Sequence, residues 1–136
     1  RAKLEARART MTNVRVVGPA WGDDLAEWLH GARAVVVPSL WHENFPYVIM
    51  QAFAASNPVI GAERGGIPEL VNAGTHGWTY EATDAVRLAA LMREVAQAPD
   101  STIAEMGRSA KEYVTHEFTD EAIYQRLQAI YGRVLS

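Results

Sequence analysis

Apolar residues follow two different rhythms along this chain. Up to Tyr80 they gather in short runs that end at glycine or proline. Val14-Arg15-Val16-Val17 alternates before Gly18-Pro19, Ala34-Val35-Val36-Val37 runs unbroken into Pro38, and Pro58-Val59-Ile60 leads to Gly61, with Gly77-Trp78-Thr79 a weaker fourth. An unbroken β-branched run is what a strand shows when helices cover both of its faces, as in a parallel sheet. Helical stretches lie between the runs. Asp23 or Asp24 is placed to cap a helix carrying Leu25, Trp28, Leu29 and Ala32, and Pro46 to Ser56 is of helical length. Arg1 to Thr12 has helix-forming composition but weak apolar periodicity, and Asn13 ends it. The pattern predicts an α/β fold: a Rossmann-like, mostly parallel sheet of about four strands (14–17, 34–38, 58–62, 77–79) flanked by helices.

Beyond Tyr80 the rhythm becomes helical throughout. Asp84 caps a helix with Leu88, Leu91, Met92 and Val95. Thr102 and Glu105 have the spacing of a capping box for the next, with Met106, Ala110, Tyr113 and Val114. Thr119 opens the last, whose Ile123, Leu127, Ile130, Tyr131 and Val134 form one stripe, expected to bury an outer face of the sheet. No repeat, low-complexity tract or linker divides the chain, so residues 1–136 read as one domain.

Composition narrows the function classes. Thirteen Lys and Arg stand against sixteen Asp and Glu, a formal charge of −3, which gives no electrostatic footprint for nucleic acid. Without cysteine there are no disulfides and no thiolate metal sites, in keeping with a reducing compartment. No apolar run approaches the roughly 20 residues of a membrane span, and no signal-peptide core follows the basic start. A cytoplasmic domain is expected. His30, His76 and His116 lack metal-ligand spacing, and the Asp23-Asp24 pair reads as a helix cap, so no metal site is expected.

Ligands of a parallel α/β sheet lie beyond the carboxyl ends of the strands. The richest loop at that edge is Ser39-Leu40-Trp41-His42-Glu43-Asn44-Phe45, running into Pro46. Proline is favoured at the first helical position, so the free N–H groups of Tyr47 and Val48 would form an anion site with the helix dipole. Gln51 is the one strongly polar side chain of a helix apolar on nearly every side, and such a helix is expected to be buried nearly all round. Glu63-Arg64-Gly65-Gly66-Ile67-Pro68 is the second informative loop, and lacks the spacing of a Walker loop or a dinucleotide fingerprint. Together the loops suggest a site for a phosphorylated polyhydroxyl ligand.

The run from Val37 through Pro38-Ser39-Leu40-Trp41-His42-Glu43-Asn44-Phe45-Pro46 to Ala54, followed by Pro58-Val59-Ile60 and Gly65-Gly66-Ile67-Pro68-Glu69-Leu70-Val71, resembles a known family. It is similar to the carboxy-terminal domain of retaining GT-B glycosyltransferases of the group 1 (GT4) type, and the likeness extends from Asn13 to the C-terminus. The resemblance implies a nucleotide-sugar-binding half that works with an amino-terminal acceptor half. It implies transfer of a hexosyl group from a nucleoside diphosphate sugar to a hydroxyl acceptor, with front-face departure of the diphosphate and no required metal. The family signature is a glutamate, seven residues and a second glutamate. By resemblance Glu43 is the first and the catalytic residue, lying against the donor sugar and phosphates. Phe45, Pro46, Tyr47 and Val48 match the loop whose backbone amides hold the pyrophosphate, Asn44 just before them is a further expected donor contact, and Gln51 stands where the second glutamate would bond the ribose. Gly18, Pro19 and Ala20 match the loop beside the nucleobase, and Gly65 and Gly66 complete the expected donor contacts.

There are departures. Gln51 has lost the carboxylate, and Asn57 stands where glycine is usual before Pro58. The family's basic phosphate clamp, its first two strands and its acceptor domain would all precede Arg1, so the isolated chain is expected to be inactive. Val14–Val17 is then expected either to pair directly with Ala34–Val37 or to exchange with a second chain in a homo-oligomer. The alternative function is a non-catalytic nucleotide-sugar-binding or interaction module on the same fold. Competing structural readings exist for single residues: a helix cap for Glu43, a tight turn for Gly65-Gly66, a solvated side chain for Arg64, an idle loop position for His42, and core or edge packing for Trp21 and Trp41.

Overall fold

The computed structural model describes residues 2–134; Arg1, where the first helical stretch was expected to begin, and the last two residues of the single-domain reading lie outside it. Three parallel strands form the centre, β1 (Val35–Val37), β2 (Val59–Ala62) and β3 (Gly77–Tyr80), in that spatial order. Val35 pairs with Val59 and Val37 with Gly61, while Val59 pairs with Gly77 and Ala62 with Tyr80. Around them lie α1 (Ala2–Ala8), α2 (Gly22–His30), α3 (Tyr47–Ala54), α4 (Ile67–Leu70), α5 (Ala85–Gln97), α6 (Asp100–Glu117) and α7 (Asp120–Val134).

The continuous apolar strands are explained by two separate cores. Successive residues of a strand point to opposite faces. Val35, Val37 and Val59 therefore join Leu29, Ile49, Phe53, Ile67, Leu70 and Ala110 on one side, under α2, α3, α4 and α6. Ala34, Val36, Ile60 and Ala62 join Tyr80, Leu91 and Val95 on the other, under α5. Arg33, just before β1, fastens the second layer: its Nε donates to the Val95 carbonyl at 2.8 Å, and its other nitrogens reach the Ala98 carbonyl and Asp100. A guanidinium over the last carbonyls of α5 satisfies acceptors that the helix leaves open.

Several expectations need correction. Val14–Val17 is not a strand, and among the described residues the sheet has three strands, not four. β-branched residues form a strand only where a ladder partner exists. Here the segment stays irregular and exposed beside α1 and α2, with Arg15 stacked over the Trp28 ring at 4.8 Å. Direct re-pairing with Ala34–Val37 does not form, and β1 keeps an open edge. Trp21, not an aspartate, occupies the cap position of α2, with Asp23 and Asp24 in the first turn, where they still complement the dipole. The capping box at Thr102 is absent because α6 starts earlier, behind Pro99. Asp84 does cap α5, accepting from the Arg87 N–H at 2.8 Å, and Thr119 accepts from the Ala122 N–H before α7. The α7 stripe, however, buries none of its residues: both sheet faces are already covered by other helices.

His76 lies in the first core, 7% exposed, stacked on Tyr113 with centroids 4.5 Å apart, its Nδ1 3.4 Å from the Leu70 carbonyl oxygen. Burial pulls its pKa below the ordinary histidine value, against the opposing pull of that carbonyl. The unfolded chain therefore binds this proton more readily than the folded one. Stability from this group is complete above about pH 6.5 and falls as the pH drops from there toward the lower folded value. Denaturant titrations at pH 7.5 and 5.5 should show the wild type losing more stability than His76→Phe. Equal losses would assign the pH dependence elsewhere.

Candidate functional site

Two loops meet at the carboxyl ends of the adjacent strands β1 and β2, where a parallel sheet presents its ligand edge. The first starts at Ser39, which is 5% exposed. Its hydroxyl donates to Glu43 Oε1 at 2.7 Å. The second loop carries Gly65 and Gly66. The Gly66 N–H donates to the Glu43 carbonyl at 2.7 Å, and Gly65, with φ of 55°, lies directly against the same residue. A Cβ on Gly65 would stand 2.6 Å from the Glu43 nitrogen, and one on Gly66 would run into the Asn44 carbonyl oxygen. The glycine pair is therefore required by close backbone approach to Glu43 and Asn44.

The structure thus brings Ser39, Glu43, Asn44, Gly65 and Gly66 together. Phe45 packs its ring 5.7 Å from Phe118 at the end of α6 and 5.8 Å from Tyr47. Pro46 is buried and sits at the cap position of α3, one residue earlier than its expected first helical position. Its carbonyl accepts from the Ile49 N–H at 3.0 Å, leaving the amides of Tyr47 and Val48 at the open helix end. Glu43 is half-buried, and among the described residues no cation and no second donor engages its carboxylate. One oxygen is held by Ser39, and the other is left to accept from a ligand.

Gln51 does not follow its expected burial. Together with Tyr47 and Ala54 it forms the exposed face of α3, while Ile49, Ala52 and Phe53 fill the core. It lines a groove between α2 and α3 with Gly22, Leu25, Ala26, Leu29 and His30. Gly18 and Pro19 lie on the segment leading into α2, and no hydrogen bond among the described residues ties them to Glu43. Arg64 is half-buried, 3.5 Å from Glu81, with its Nε buried and unpartnered. His42, Trp21 and Trp41 are exposed. Among the described residues no three His, Asp or Glu side chains gather as a metal site, and no helix is long and apolar enough to cross a membrane.

Sequence reasoning passed over Ser39 and gave Asn57 no role. The Asn57 side chain donates to the Leu29 carbonyl at 2.6 Å, tying the end of α2 to the turn after α3. A polar residue directly before the apolar run Pro58-Val59-Ile60, where the resemblance leads one to expect glycine, was the available signal.

Residues 1–98 match the model of the family described as glycosyl transferases group 1. The chain belongs to this family. D-inositol 3-phosphate glycosyltransferase of Streptomyces avermitilis is 36% identical over 108 residues, 79% of this chain and 23% of that protein. The fold is that of the carboxy-terminal GT-B domain. Sucrose-phosphate synthase of Thermosynechococcus elongatus superposes with a TM-score of 0.78 at 27% identity, over 98% of this chain and 33% of that one. Anabaena Alr3699/HepE, solved in complex with UDP-glucose, superposes with a TM-score of 0.78 at 21% identity, over 97% of this chain and 35% of that one, a likeness of fold. This group 1 chain thus spans about a quarter to a third of the length of these three proteins.

Proposed function

We propose that this chain is the donor-binding part of a retaining glycosyltransferase of GT4 type, holding a nucleoside diphosphate sugar whose hexosyl group passes to a hydroxyl acceptor. The observation that carries the proposal is a Glu43 carboxylate held by Ser39 on one oxygen and open on the other, in the loop that leads to the free amides of α3. The two features suit the two halves of such a donor. Backbone N–H groups and the helix dipole favour the diphosphate, and Glu43 accepts from sugar hydroxyls. In the reaction the bond from the anomeric carbon to the diphosphate breaks, and charge builds on the leaving phosphate. The amides of Tyr47 and Val48 bond that charge more strongly than the neutral ester oxygen it came from. Departure and attack share one face: the acceptor oxygen bonds the anomeric carbon while its proton passes to the departing phosphate oxygen, with no protein nucleophile and no metal in the step. Phe45 and Pro46 shape the loop, Gly65 and Gly66 support it, Gln51 accepts from the ribose, and Gly18 and Pro19 adjoin the base. The work belongs in the cytoplasm, and it needs an acceptor side beyond these residues.

Calorimetric titration with UDP-glucose, GDP-mannose and ADP-glucose tests this reading. One of them should bind the folded chain, equally well in EDTA. Glu43→Ala should weaken that binding roughly 10- to 100-fold, the worth of hydrogen bonds to a charged group, and leave the bare diphosphate nearly unaffected. No binding by a folded wild type would remove the proposal. A non-catalytic nucleotide-sugar-binding module is the second reading, favoured by the uncharged Gln51 on the exposed face of α3. Labelled hexose transfer by the whole gene product, with none by these residues alone, decides for the enzyme.

A further inference from the structure

We infer that Ser39 is a positioning residue for donor-sugar recognition, fixing the Glu43 carboxylate before the ligand arrives. The inference rests on the donor-binding reading above. Ser39 follows directly on β1 and Pro38, and its near-complete burial gives its hydroxyl a fixed origin on the sheet. From there the O–H reaches Glu43 Oε1 at 2.7 Å, a charge-assisted bond. No guanidinium or ammonium among the described residues shares that carboxylate, so Ser39 is its one protein donor.

The second restraint comes from the opposite side. The Gly66 N–H holds the Glu43 carbonyl, and Gly65 lies so close to the same main chain that no side chain would fit between them. Glu43 is thereby fixed at both ends, its backbone by the β2 loop and its side chain by the β1 loop. A glutamate side chain held in one rotamer does not have to be ordered by the ligand, which raises affinity without adding a contact. The bond to Oε1 also decides which oxygen faces outward. An anionic oxygen without a cation nearby repels phosphate and favours hydroxyl donors, so the effect of Ser39 should fall on the sugar and spare the diphosphate.

That selectivity separates positioning from a bond that merely closes the loop. Ser39→Ala is titrated with whichever of UDP-glucose, GDP-mannose or ADP-glucose the wild type binds most tightly, and with the matching nucleoside diphosphate. The nucleotide sugar should bind about tenfold more weakly and the diphosphate within twofold of wild type. In a Glu43→Ala background, Ser39→Ala should cause no further loss, because its effect passes through the carboxylate. Ser39→Thr, which keeps the hydroxyl, should recover most of the affinity. Equal weakening of both ligands, or additive losses in the double variant, overturns the inference. Wild-type binding with an unaffected Ser39→Ala overturns it alone, whereas a folded wild type that binds no nucleotide sugar overturns the donor reading and this inference with it.

Discussion

Gly65→Ala is expected to lower stability by about 3 kcal/mol and to abolish measurable nucleotide-sugar binding. Two separate effects add. Gly65 has φ of 55°, where an L-residue costs about 1–2 kcal/mol. The new methyl would also stand 2.6 Å from the Glu43 nitrogen and closer still to its carbonyl oxygen, and overpacking of that kind costs about 1–3 kcal/mol. Relief requires the Glu43 backbone to move away, which breaks the Gly66 N–H bond and carries off the carboxylate. Gly74→Ala supplies the comparison. Gly74 has φ of 85° but nothing within 4 Å of its Cβ position, so its loss should stop at the backbone term, with binding retained. Denaturant titration and calorimetry on both variants check this; equal behaviour of the two would show that contact with Glu43 contributes nothing.

The difference between these glycines also shows what could be read from the chain. A Gly-Gly pair at a strand end announces close approach or positive φ but not the partner, which lies about twenty residues away in the neighbouring loop. The strands β1 and β2 were legible because cover on both faces removes alternation and leaves unbroken apolar runs, whereas β3, with Thr79 half-buried, gave a weaker signal. Val14–Val17 carries the other strand signal, β-branched alternation, and is no strand, since the ladder that would make it one depends on a partner the local sequence does not name. Gln51 failed in the same way. The composition of α3 indicates burial, yet only the side facing the sheet and α6 is covered, and Tyr47, Gln51 and Ala54 remain outside. At the candidate site, the place of Glu43 in the loop after β1 was legible from the pattern around it. Its bond from Ser39 was not, because a serine four residues before a glutamate in a loop follows no periodic rule. The Thr102–Glu105 spacing fits a capping box but falls inside α6, so a short motif there lost to the helix start behind Pro99.

Opposite signs are expected for one substitution made in two helices. Gly132→Ala, in α7, meets nothing within 4 Å and should gain up to about 1 kcal/mol from helix propensity. Gly107→Ala, in α6, should lose about 2–3 kcal/mol despite the same propensity gain. Its methyl would stand 2.9 Å from the Ser56 carbonyl carbon, with the oxygen nearer still. The turn at Ser56 has little freedom to retreat. Ser56 already has φ of 61°, its N–H bonds the Phe53 carbonyl at 2.9 Å, the Asn57 N–H bonds Ala52 at 2.8 Å, and the Asn57 side chain holds Leu29. The displacement must therefore fall on α6, which carries Tyr113 against His76 and ends at Phe118 against Phe45. Thermal unfolding should drop by about 10 °C for Gly107→Ala and hold or rise slightly for Gly132→Ala. Donor affinity should fall in the first variant alone, because Phe45 belongs to the loop that presents Glu43. A Gly107→Ala protein as stable as wild type would mean that α6 does not rest on the Ser56 turn, and the route from this helix to the site would be lost with it.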